Sequence, residues 1–139
     1  MKILEIAEYF IWLTHPEVGE IITGYKLHKL LYYAQGYHLA LFDKPLFKEE
    51  IIALENGPYI KLIAERYSYN QIKKLKDIKI ELLSQKELSF IQDIQNICGS
   101  YAVWKLDEMI KKEKPWLDNY NKIIPHKDLK DFFKEYIKN

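Results

Sequence analysis

Apolar residues recur every three or four positions along most of this chain, and the recurrence stops at a few polar or proline-containing breaks. Over residues 2–13, Ile3, Ile6, Ala7, Phe10 and Leu13 share one stripe while Lys2, Glu5 and Glu8 lie off it, which predicts an amphipathic helix. His15-Pro16 ends it, because the residue before proline resists the α conformation. Thr23 is placed to cap a second helix over residues 24–42, where Leu27, Leu30, Leu31, Ala34 and Leu41 keep the helical spacing. Tyr32, Tyr33 and Tyr37 make this helix apolar around much of its circumference, so it is expected to be central and covered on more than one side. Gly36 costs about 1 kcal/mol of helix propensity relative to alanine. A close approach by another backbone would account for it.

The period is ambiguous further on. Asp43-Lys44-Pro45 reads as a turn, and Glu49 to Glu55 carries Ile51, Ile52, Ala53 and Leu54, a short strand candidate. Asn56-Gly57-Pro58 breaks that segment, with Pro58 suited to the first position of a helix over Tyr59 to Tyr67. Ile78, Ile80 and Leu82 alternate with Lys79 and Glu81, which predicts a second strand to pair with residues 49–54. Ser84 and Glu87 form a capping box for a helix over residues 85–98, with Leu88, Ile91, Ile94 and Ile97 inward. Gly99 stops it, and Ser100 is the candidate cap for Tyr101 to Lys111, where Trp104 and Leu106 are expected in the core with Met109 as packing. Lys114-Pro115-Trp116 separates that helix from a last one near His126 to Lys138, which places Leu129, Phe132, Phe133, Tyr136 and Ile137 on one side. The expected fold is mainly α, one compact helical domain spanning residues 1–139, with room for a short two-stranded β element.

Composition narrows the setting. The first residues carry Glu5 and Glu8 where a signal peptide needs an apolar run, and no stretch approaches the roughly 18 apolar residues of a membrane span, so a soluble cytoplasmic protein is expected. Net charge is +1, with five Lys against eight acids in residues 1–60 and sixteen Lys or Arg against twelve acids in residues 61–139. The most basic stretch, Lys73 to Lys79, reads as solvated surface, and Arg66 is the only arginine. Direct nucleic-acid binding is therefore disfavoured, since phosphate binding needs gathered charge and guanine reading favours arginine. The single cysteine, Cys98, sits at helical spacing as a small hydrophobe and permits no internal disulfide.

Candidate chemistry is sparse. His28 and His38 lie ten residues apart on one predicted helix, about 15 Å along its axis, too far to share a metal ion. His15 and His126 stand at helix boundaries. Glu49, Glu50 and Glu55 flank the first strand candidate, but their spacing establishes no acid–base pair, and a polar cleft joining His28 with Glu50 or Glu55 is what a hydrolase would require. No phosphate loop, dinucleotide fingerprint or nucleophile elbow is present. No catalytic residue, metal or cofactor is assigned. The eleven Tyr and three Trp instead favour a protein-binding surface over an enzyme, with core packing as the competing use of those rings.

A family resemblance sharpens this. Thr23 to Gly36, with Lys26-Leu27-His28-Lys29-Leu30-Leu31-Tyr32-Tyr33-Ala34-Gln35 at its centre, resembles the T-N-x-K-L-x-K-L-L-Y-Y-x-Q segment of the SocA-like (Panacea) antitoxin family, related to phage-associated GepA-like proteins. Lys44-Pro45-Leu46-Phe47, Glu50 to Pro58, Ser84 to Leu88 and Glu113-Lys114-Pro115-Trp116 resemble further blocks of that family, in its order. Two departures stand out: Gly24 where the family often has Asn, and Ile110-Lys111 where it often has Thr-His.

The resemblance implies an antitoxin that binds and neutralises a cognate protein toxin, either directly or as an adaptor that delivers the toxin to a protease. The expected interface lies near the second helix and the Asn56-Gly57-Pro58 loop, using Lys26, His28, Tyr32, Gln35, Asn56 and Tyr59, with Trp116 nearby. The alternative is that these residues hold the loop against the helix. Other functional readings are a phage or mobile-element interaction protein without a cognate toxin, and a small hydrolase.

Overall fold

A computed structural model describes residues 1–138. The chain runs α1 (Lys2–Leu13), a one-turn 3₁₀ helix at Pro16–Val18, α2 (Gly24–Phe42), β1 (Ile52–Leu54), β2 (Gly57–Tyr59), α3 (Lys61–Arg66), α4 (Gln85–Cys98), α5 (Val103–Lys111), α6 (Lys114–Asp118) and α7 (His126–Lys138). The architecture is mainly helical with one two-stranded antiparallel hairpin.

The organising element is α2. Thr23 caps it by accepting the Lys26 N–H at 3.1 Å, and Asp43 closes it in the left-handed conformation with φ 60°. Helices α1, α3, α4, α5 and α7 and strand β2 gather around α2, so nearly every residue from Gly24 to Leu39 is buried. This all-round cover is what its continuous apolar and aromatic surface requires, because exposed rings would forfeit the transfer free energy of burial. The core joins Leu27, Leu30, Leu31 and Ala34 of α2 to Ile3, Ile6 and Phe10 of α1, Ile91 and Ile94 of α4, and Leu129 and Phe133 of α7. The capping box at Ser84 is formed on both sides, at 3.1 and 3.0 Å. Cys98 is a buried small hydrophobe.

Several expectations change. Pro58 does not open a helix: Gly57 takes φ 109°, the chain reverses after Glu55-Asn56, and Pro58 lies in β2 opposite Ala53. The following helix starts only at Lys61. Residues 78–82 do not pair with β1. Their backbone is tied elsewhere, with the N–H groups of Glu81 and Leu82 both donating to the Glu5 carboxylate at 2.9 Å. The second edge of β1 is met by the 120–124 segment, through Ala53 N to Lys122 O and Ile124 N to Ile51 O.

Ser100 caps no helix, since α5 begins at Val103 with Ala102 before it, and residues 114–118 form a short helix instead of a plain break. Trp104 is 66% exposed, and Ile97, Leu41, Tyr136 and Ile137 also face solvent, because the helices that carry them are covered on one side only near those positions. At Gly36 the close neighbour is the Phe133 ring rather than another backbone.

Candidate functional site

The N-terminal half of α2 and the hairpin are joined by polar bonds that a helix and a turn of this sequence would not make alone. Lys29 is 2% exposed. Its Nζ donates to the Asn56 carbonyl at 3.2 Å and lies 3.6 Å from Asp107 Oδ1, an ion pair rather than a hydrogen bond. The Tyr25 ring stands 5.4 Å from the same ammonium. Burial pulls the Lys29 pKa down, and the Asp107 charge opposes that shift. Gly57 fits against this cluster because a β-carbon there would lie 3.0 Å from Lys29 Nζ, in a conformation L side chains rarely adopt.

His28 is the second tie. Its Nδ1 accepts the Ile60 N–H at 3.0 Å, which places the ring proton of the neutral form on Nε2. Burial, aided by the neighbouring Lys29 charge, pushes its pKa down to about 4. Nε2 is buried and, among the described residues, has no hydrogen-bond partner.

Beside these ties lies a cleft of about 460 Å³, bounded by Tyr25, His28, Tyr59, Tyr69, Tyr120 and the Glu55–Pro58 turn. Its walls are ring pairs: Tyr25 on Tyr69 at 4.0 Å between centroids, and His28 nearly parallel to Tyr59 at 5.7 Å. Glu55 and Asn121 also line it, whereas Glu49 and Glu50 do not. His28 and Glu55 thus share a cleft, but the arrangement does not make His28 a general base. Its one free nitrogen holds the proton and offers a donor.

The seven expected interface residues divide. Tyr32 and Gln35 are fully buried and internally engaged. The Tyr32 hydroxyl donates to Glu113 Oε1 at 2.9 Å, and Gln35 donates to Phe47 O and accepts from Leu46 N, both at 2.8 Å. Lys26 is buried with Nζ on the Gly99 carbonyl at 2.5 Å. His28, Asn56 and Tyr59 meet at the cleft. Trp116 stands behind the hairpin, where its Nε1 donates to the Leu54 carbonyl at 3.2 Å.

Sequence reasoning missed Tyr25, Tyr69, Tyr120 and Asn121, which come from three separate segments, and Asp107, which reads as an ordinary helix-surface acid. It also gave no role to Glu113 beyond the block that contains it. Tyr33 donates to Glu113 Oε2 at 2.9 Å, so two tyrosines hold one buried carboxyl. Burial pushes the Glu113 pKa up to about 7, with the two tyrosine bonds opposing.

These features define a mainly helical domain whose central helix is bolted to a β hairpin beside an aromatic cleft. Residues 27–117, from the first turn of α2 through α6, match the family described as antitoxin SocA-like, Panacea domain, and the chain belongs to that family. No curated protein and no solved structure matches the chain. No described helix is long and apolar enough to cross a membrane.

Proposed function

We propose that the protein is an antitoxin that binds a cognate protein toxin in the cytoplasm, and that the cleft between α2 and the hairpin belongs to the contact surface. Family membership over residues 27–117 is the observation that carries this reading. The geometry supports the location: Tyr59, Tyr69 and Tyr120 bring partly or largely exposed rings together at one concave place, and such rings give large contact area at low entropic cost. Tyr32, Gln35, Lys26 and Trp116 act in this reading as the scaffold that holds the surface. The family domain extends over residues 1–139, and the relation to phage-associated GepA-like proteins is part of the same proposal. Direct neutralisation and delivery to a protease share this first contact.

The test is co-expression of the chain with each neighbouring reading frame that arrests growth. Relief of arrest together with a stoichiometric complex on gel filtration supports the proposal, and folded Tyr59→Ala protein is expected to lose both. Neighbouring frames that never arrest growth, or arrest that the chain does not relieve, would count against it. Relief that persists in a protease-deficient host separates direct neutralisation from delivery.

A further inference from the structure

We propose that residues 67–83 form a strap that lifts off α1 and the start of α2 as one unit while the helices stay folded, and that a partner docked in the cleft holds it down. The second half of this statement rests on the antitoxin reading of the cleft; the first half does not.

The chain between Arg66 of α3 and Gln85 of α4 forms neither helix nor strand. Connections of this length without regular structure are uncommon in a compact domain and are usually functional or mobile. Its ends are fixed: the Tyr67 N–H donates to the Ile63 carbonyl at 2.9 Å, and Leu83 is buried beside the capping box that starts α4. Between those ends no residue from Ser68 to Leu82 is buried, and Ile72, Leu75 and Ile80 only partly pack against the core. Lys73, Lys74, Lys76 and Lys79 are exposed while the strap is seated, so lifting it leaves their solvation unchanged.

A few ties seat it. The Tyr69 ring stacks on Tyr25 at 4.0 Å between centroids. Gln71 bridges to Thr23, and the Ile72 N–H donates to the Ile22 carbonyl at 2.8 Å. Further along, the Glu5 carboxylate accepts the Glu81 and Leu82 N–H groups, both at 2.9 Å and both at the surface. A segment with little buried apolar area and solvent-exposed hydrogen bonds opens at a lower free energy than the core it covers. At Gly24 the strap lies directly on the α2 backbone, where a β-carbon would overlap the Ser68 carbonyl oxygen.

The strap also completes the cleft, because Tyr69 forms part of its wall. Lifting the strap takes Tyr69 away from Tyr25 and leaves the rest of the cleft in place, since the hairpin is tied to α2 separately through the Ile60 N–H and Lys29. A ligand that touches Tyr69 therefore favours the seated state and shifts the chain toward it.

Amide exchange of the full 15N-labelled chain, followed by NMR, reads the opening. Ile72, Glu81 and Leu82 are expected to share one protection factor below those of Leu30 and Leu31 in α2. Low urea should hardly change the three rates while it quickens Leu30 and Leu31, because lifting the strap exposes little surface. Glu5→Ala removes only the acceptor of Glu81 and Leu82, yet it should quicken Ile72 as well. Gly24→Ala should quicken all three at least about fivefold, the low end for a side chain forced into filled space. An Ile72 rate untouched by Glu5→Ala would mean separate ties, and strap amides as sensitive to urea as Leu30 would mean global unfolding; either overturns the strap. Glu5→Ala and the urea series decide the matter if Gly24→Ala does not fold.

A neutralised toxin at about ten times its Kd should slow the three amides about tenfold. A bound toxin that leaves them unslowed removes the second half of the proposal. A strap that opens as one unit in a chain that neutralises no toxin stands without the antitoxin reading; a toxin neutralised by a chain whose strap opens only on global unfolding does the reverse.

Discussion

Phe133 of α7 lies so close to Gly36 of α2 that a β-carbon at Gly36 would sit 2.2 Å from the ring's Cε2. The helix gives up about 1 kcal/mol of propensity at this glycine. In exchange, the ring of a second helix reaches the α2 backbone beside Tyr32, Tyr33 and Tyr37. Gly36→Ala is therefore expected to destabilise by about 1–3 kcal/mol despite its better propensity. In urea melts, combining it with Phe133→Ala should give a total loss well below the sum of the two single losses, because the clash needs both partners.

Gly24 obeys the same logic at the start of α2. A β-carbon there would stand 2.0 Å from the Ser68 carbonyl oxygen, a backbone atom that no rotamer change moves aside. Gly24→Asn, which brings in the residue often found in the family, should lower the midpoint of thermal unfolding rather than raise it. A higher midpoint would mean that the 67–71 segment moves freely away from α2.

His28 and Glu113 act in opposite directions on stability. His28 falls from 6.5 to about 4 on folding, so between those values the unfolded chain holds the extra proton and stability rises with pH. Glu113 rises from 4.5 to about 7, so between those values the folded chain holds the extra proton and stability falls with pH. Their effects offset each other between pH 4.5 and 6.5. Glu113→Gln should expose the His28 slope, with stability climbing by about 2 kcal/mol across that window, and His28→Phe should expose the opposite slope. Urea midpoints at several pH values read both, and parallel profiles for the three proteins would refute the assignment.

Lys29→Met keeps the length of the side chain and removes the ammonium that holds the Asn56 carbonyl and faces Asp107. Loss of about 1–3 kcal/mol is expected, in the range of a hydrogen bond to a charged group. Amide exchange should quicken first at the hairpin, residues 52–59, while α4 remains protected.

Burial pushes the Cys98 thiol up to about 12, with the Glu113 charge adding to the effect. The native protein is expected to react with an aromatic disulfide reagent only as fast as it opens, and the rate should rise in step with urea-induced unfolding. Immediate reaction of the folded protein would place the thiol at the surface instead.

Local signals carried much of the fold into view. The bounds of α1, α2, α4 and α7 follow from caps, breakers and a period of 3.6, all of which act within a few residues: Thr23 on Lys26, Ser84 with Glu87, and proline after His15. The Panacea blocks were legible for the same reason, as short strings in order. The hairpin was half legible. Ile52 to Leu54 reads as a strand, but whether it pairs with Gly57 to Tyr59 or with residues 78–82 turns on one left-handed glycine and on which segments sit nearby.

Site assignments fared according to the same divide. The family resemblance led to the expectation that His28, Asn56 and Tyr59 share one surface, and the fold brings the three to one cleft. The sequence did not determine that Tyr32 and Gln35 spend their polar atoms inside, or that Tyr69, Tyr120 and Asn121 complete the cleft. Those facts depend on contacts between residues dozens of positions apart, such as Tyr32 with Glu113 and Lys29 with Asp107. Helix formation is settled by neighbours along the chain; burial, charge pairing and the shape of a cleft are settled by neighbours in space, and only the folded structure brings those together.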